Sequence, residues 1–194
     1  MVRGGKSSRI FQNMSNMFYY SSSLKSVPLF DTSYVTNMSN MFYNCKNIKE
    51  IPLLDTSNVK DMSAMFSGCS SLKSVPQLNT SKVTKMTNMF YNCTLLQTIP
   101  QLDVSKVTSM SSIFSNCFSI VSCLLKGLAT SLEMHHASEL EKSSVLFIFE
   151  NAQTVATSKT IKLHADVFAQ LTEDEIAIAT TLLIYYNMFI FSLN

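Results

Sequence analysis

The chain has 194 residues, enough for one ordinary domain or a short repeat array; 46% are apolar and 14% charged, which excludes disorder driven by charge. The net charge of +2 hides an asymmetry, since residues 1–126 carry 12 Lys/Arg against 5 Asp/Glu and residues 127–194 carry 3 against 8. That is a mild dipole along the chain, not the dense basic stripe of a nucleic-acid binder, and 4 Gly, 4 Pro and 5 Cys exclude both a collagen-like rod and a disulfide-dense miniprotein.

Residues 1–10 read as an N-terminal arm. Met1 to Phe11 holds basic residues but no apolar core, so it is not a secretory signal peptide. Either the protein is made without one, or the reading frame is cut and its start lies upstream.

Residues 11–126 carry a period of 24. Asp31-Thr32-Ser33 recurs as Asp55-Thr56-Ser57, Asn79-Thr80-Ser81 and Asp103-Val104-Ser105. Val35, Val59, Val83 and Val107 keep the interval, as do Met14, Met38, Met62, Met86 and Met110. Phe18, Phe42, Phe66, Phe90 and Phe114 follow, then Cys45, Cys69, Cys93 and Cys117, and each Pro falls in register at 28, 52, 76 and 100. Nine of the twelve methionines belong to this pattern, so the unusual composition is one phrase written five times.

Each unit has two halves. Met38, Met41, Phe42 and Cys45 stand at i, i+3, i+4 and i+7, which predicts a helix of about two turns. The Asp/Asn-Thr-Ser before it supplies side-chain oxygens that cap orphan N–H groups or close a turn. Leu72-x-x-Val75 with Pro76 and Leu78 reads as a short strand whose ladder stops near the proline, which has no N–H to donate. No unit can bury its apolar side alone. The expected fold class is therefore an α/β repeat: a solenoid of about five turn–helix–strand units, stacked about 4.8 Å apart on a shared core.

The phrase D-T-S-x-V-T-x-M-x-x-M-F-x-x-C-x-x-L-x-x-I-P resembles the repeat of the BspA-like leucine-rich-repeat surface proteins, also described as the Mycoplasma lipoprotein type. The resemblance implies a leucine-rich-repeat solenoid at a bacterial cell surface, or secreted, that binds protein or glycan through its concave face and carries no catalytic site. Similar arrays occur in gut Bacteroidetes and their phages, so the alternative it implies is a virion component, a tail-associated structural or host-attachment protein.

Cysteines 24 residues apart lack the close pairs of a structural zinc site, and parallel Cβ vectors in a stack are poor geometry for disulfides. Buried free thiols behaving as small hydrophobes are expected, with no metal and no cofactor. The residues between core positions face outward: Lys25, Lys49, Lys73 and Gln97 in one column, Glu50, Ser74 and Thr98 beside it. These are the candidate ligand-binding residues, and the three lysines make a small positive strip suited to an anionic partner such as an acidic glycan. The prolines and Gln77/Gln101 lie next along, and the glutamines either face out or pair with the backbone of the next turn.

After Cys117 the pattern decays, and Gly127 offers a bend. Residues 127–180 read as a C-terminal α/β cap: a polar stretch carrying His135 and His136, with no partner nearby for a metal or catalytic role and with Glu133 and Glu139 on a solvated face, a helix from Ser143 to Gln153, a strand over Lys159–His164 with His164 at its surface, and a capping box at Thr172-Glu173-Asp174-Glu175. The stretch KTIKLHADVFAQLTEDEIAIAT is similar to the caps that follow such repeats, though those continue with a tryptophan-containing strand. Here the run from Ile176 to Asn194 carries no charge over 19 residues, and residues 181–194 are an atypical apolar tail. Its length approaches a membrane span, but Thr180, Thr181, Asn187, Ser192, central tyrosines and the lack of flanking basic residues argue against one. A helix-plus-strand end of the cap, or an altered reading frame, fits better. No G-x-S-x-G, H-E-x-x-H or glycine-rich phosphate loop occurs, so no enzyme and no nucleic-acid binding are expected.

Overall fold

The computed structural model describes residues 11–153, 159–185 and 188–193, so the arm at residues 1–10 lies outside the described residues. The Met-x-x-Met-Phe-x-x-Cys segments decide the fold, and they form no helix. Asn16, Asn40, Ala64, Asn88 and Ser112 take φ between 52° and 60°, and four residues later Tyr20, Asn44, Gly68, Asn92 and Asn116 take φ between 56° and 75°. A right-handed helix cannot pass a left-handed residue every fourth position. The chain instead makes consecutive β-turns: Met41 N–H donates to Met38 C=O, Tyr43 to Asn40 and Cys45 to Phe42. The first and third carry their positive φ at the third turn position, where Asn and Gly are favoured. The intervening N–H groups of Met38, Asn40, Phe42 and Asn44 donate to the carbonyls of Asp61, Ser63, Met65 and Ser67, each 23 residues on. Every second donor is thus committed to a neighbouring segment, which leaves none of the i to i−4 pattern a helix needs.

The expected α/β leucine-rich-repeat solenoid of turn–helix–strand units is therefore corrected. The array holds turns and single bridges, linking Asn13 to Asn37, Asn37 to Asp61, Asp61 to Lys85 and Lys85 to Ser109. Regular strands enter only at its end, as β1 (Thr98–Asp103) and β2 (Ser122–Lys126), a parallel pair. β1 runs through Pro100 instead of stopping there, with a shift of register between Ile99 and Leu102. The hydrophobic period was correctly placed but wrongly assigned to helix, because turns two residues apart bury the same positions.

Burial follows the 24-residue register. Phe18, Phe42, Phe66, Phe90 and Phe114 stack with ring centroids 5.3, 5.7, 5.6 and 5.8 Å apart and planes within 13° of parallel. Phe42 to Phe114 are fully buried among the Met38/Met41-type columns. Each such ring contributes about 1.5–3 kcal/mol by burial, and each stacked pair about 0.5–1.5 more.

The end of the molecule is a small α/β unit. β3 (Leu132–Met134), β4 (Lys159–His164) and β5 (Met188–Leu193) form a parallel sheet in that order. The helices are α1 (Lys142–Glu150), α2 (Ala165–Phe168) and α3 (Glu173–Tyr185). α1 opens at Glu141 with no side-chain cap, not at a serine; Ser144 is buried, and its hydroxyl accepts the N–H of Cys123 on β2 at 3.1 Å. At α3 the capping box forms, Glu175 N–H donating to Thr172 Oγ1 and Thr172 N–H to Glu175 Oε2. α3 crosses the boundary drawn at residue 180, and β5 pairs with β4 along its length, so the described part of 181–194 is no separate tail. Among the described residues no helix is long and apolar enough to cross a membrane.

Candidate functional site

Two faces of the array are open. The first is the one the sequence singled out. Lys25, Lys49, Lys73 and Gln97 are exposed, as are Glu50, Ser74 and Thr98. The backbone ties only the later positions together: Lys73 C=O accepts Gln97 N–H at 2.8 Å, and Ser74 bridges Thr98. No carboxylate lies within ion-pair distance of these three lysines among the described residues.

The second face, one corner further along each unit, is a groove that the sequence reading did not find. A cavity of about 720 Å³ is lined by Leu53, Asp55, Gln77, Asn79, Thr80 and Gln101, with Asp103 at its end. A second of about 420 Å³, lined by Leu29, Phe30, Asp31 and Thr32, shares Leu53 and Asp55 with it, so the two are one trough across successive units. Leu29 and Leu53 are 72% and 66% exposed, large values for leucine. Gln77 settles its own ambiguity: it stays exposed while its amide donates to the backbone carbonyl of Gln101 at 2.8 Å.

The trough's carboxylates are positioned by the Asp-Thr-Ser phrase. Asp31 Oδ1 accepts both the N–H and the hydroxyl of Ser33, and Asp55 and Asp103 accept the N–H of Ser57 and Ser105. Asn79 does the same for Ser81 through its amide oxygen. The serine hydroxyl and N–H beside Asp31 and Asp55 hold those carboxyls below the usual carboxylate range. Burial pulls Asp103 upward, but Ser105 and the nearby Lys126 and Lys106 keep it below as well. All are charged at neutral pH, and in each only Oδ1 is engaged among the described residues.

The cysteines are not merely small hydrophobes. Cys45, Cys69, Cys93 and Cys117 each donate the thiol proton to the carbonyl of the phenylalanine 27 residues back, at 3.1, 3.1, 3.0 and 2.9 Å. Burial pushes these thiols up, Cys117 to about 12, so they stay protonated and are poor nucleophiles. His136, to which the sequence assigns no role, has a structural one. Its Nδ1 accepts the N–H of Asn116 at 3.0 Å, where every earlier unit uses a carbonyl of the next. Its ring lies 5.5 Å from Phe118 and 4.2 Å from His135, and burial together with His135 holds its pKa below the ordinary histidine value.

Fold and faces define the class: hydrogen-bonded turns in a 24-residue register, ended by a small parallel α/β unit, with an open trough on one side. Residues 12–126, more than half of the chain, match the family described as Mycoplasma protein of unknown function, DUF285, and the chain belongs to that family. No curated protein and no solved structure matches the chain.

Proposed function

We propose that the protein is a non-enzymatic recognition module, binding an extended protein or glycan partner at a bacterial surface. The trough carries the reading: an open cleft crossing several units, with charged and amide groups recurring at a fixed register, suits a long partner better than a small substrate. The exposed lysine column beside it adds attraction for anionic partners. Turns locked to their neighbours make a scaffold that loses little freedom on binding. The buried, protonated thiols and the structurally committed His136 speak against catalysis by these groups. The likeness of the D-T-S-x-V phrase to surface proteins supports the location.

The reading is tested by immobilising the protein against a defined panel of matrix proteins and of neutral and acidic glycans. Partner binding is expected, weakened either by Lys49→Ala with Lys73→Ala, together with a steep salt dependence, or by Leu53→Arg in the trough. Absence of binding across the panel, or binding untouched by all three substitutions, refutes it.

A further inference from the structure

We propose that the trough is a cleft for a neutral, linear, ribbon-like oligosaccharide lying along the array with one sugar ring to each turn unit. This rests on the recognition reading above and narrows it to one ligand class on one face.

The first argument is register. In the phenylalanine column, equivalent rings of successive units lie 5.3–5.8 Å apart, which sets the scale of the repeat. That is comparable to the length of one pyranose ring in a β-1,4-linked chain, so one ring spans one unit, with successive rings turned over and the same face returning every second unit. An extended peptide repeats its face every two residues, about 6.6 Å, and drifts by about an ångström per unit.

The second argument is chemistry. Asp31 and Asp55 spend Oδ1 on their serines and leave Oδ2 without a partner among the described residues, a charged acceptor for a sugar hydroxyl. Gln77 and Gln101 are exposed in the same lining, the Gln77 amide N–H already held by the Gln101 carbonyl and its amide oxygen left as an acceptor. Leu53 supplies an apolar surface for the C–H face of a ring. The carboxylates repel uronic acids, so an anionic ligand is excluded from the trough.

The test titrates the protein with cellohexaose and chitohexaose, with maltohexaose and hexagalacturonate as comparisons, read by calorimetry and saturation-transfer NMR. The two β-1,4 ribbons are expected to bind, and helical maltohexaose and the acidic hexamer to bind far more weakly. Asp55→Asn is expected to weaken the ribbons about tenfold or more. It should fold, because Asn79 already makes the same serine contacts one unit along. Leu53→Arg should abolish binding, whereas Lys49→Ala should leave it unchanged. Equal binding of maltohexaose, or ribbons bound unchanged by Asp55→Asn and Leu53→Arg, overturns the assignment. Capture of hexagalacturonate or a protein through the lysines, with no ribbon bound, overturns this cleft but leaves the recognition reading standing; silence across all partners sinks both.

Discussion

Ala64 offers a direct measure of how firmly the turn ladder sets the backbone. Its φ of 52° is left-handed, a conformation that costs an L-residue with a Cβ about 1–2 kcal/mol. Ala64 cannot relax, because its N–H donates to Thr87 C=O at 2.8 Å and its own carbonyl accepts Ser67 N–H at 3.2 Å. The equivalent residues one unit on either side, Asn40 and Asn88, hold the same conformation half-buried, and asparagine tolerates it better through local polar contacts. Ala64→Asn should therefore stabilise the protein by about 0.5–1 kcal/mol, raising the midpoint in urea without changing the slope and lifting Tm by about 1–4 °C. Ala64→Gly relieves the same strain but enlarges the freedom of the unfolded chain, so its gain should be smaller. The mirror change, Asn88→Ala, should lose about what Ala64→Asn gains. Unfolding is followed by circular dichroism on all three variants. A fall or no change for Ala64→Asn refutes the left-handed turn, and with it the reason that the apolar periodicity does not make helix.

Phe66→Ala removes the middle of the stacked column and should cost about 3–5 kcal/mol by cavity formation, measured by denaturant unfolding; less than 1 kcal/mol means that the column is not core. Thiol reagents should label few cysteines in the native protein at pH 8 and about five after denaturation, since burial keeps the thiols protonated; rapid native labelling counts against that burial. The His136 pKa is lowered on folding, so the folded state resists protonation more than the unfolded chain does. Stability should be complete above about pH 6.5 and fall as pH drops through the depressed folded value, with Asn116 N–H losing its acceptor. Thermal melts between pH 7.5 and 5 check this, and His136→Phe should flatten that part of the profile. Gly68→Ala should destabilise by more than 1 kcal/mol, because a Cβ there meets the Asn44 side chain at a φ of 75°.

What the sequence made legible was the column structure. Residues sharing a place in the 24-residue phrase share an environment, and Phe42, Phe66, Phe90 and Phe114 show it by their burial. The local conformation was misread because i, i+3, i+4, i+7 is satisfied both by a helix and by a run of turns that buries the same side chains. The signal that separates them was present: Asn or Gly recurs at the positions four apart, as Asn40/Asn44 and Asn88/Asn92, with Gly68 in the unit between. Both tolerate positive φ and both are poor helix-interior residues. The trough was less accessible, because nothing in Leu29 or Leu53 marks a leucine that stays outside while Leu54, one residue later, is buried. His136 could not be found by spacing, since it serves a donor, Asn116 N–H, that becomes orphaned only where the ladder ends.

The two kinds of column also behave differently along the chain, and this bears on function. The core column is phenylalanine in all five units, and the thiol column holds wherever a preceding phenylalanine carbonyl is there to receive it. The outward columns change from unit to unit: Lys25, Lys49 and Lys73 give way to Gln97, and Leu29 and Leu53 to Gln77 and Gln101. Main-chain bonds and buried rings fix the register, so the surface residues are released from any part in holding it. A face whose chemistry shifts along a rigid scale lets a long partner bind in one place and one direction only. In the trough that shift runs from apolar at Leu29 to amide at Gln101, and a ribbon of identical sugars would meet it with its ends distinguished.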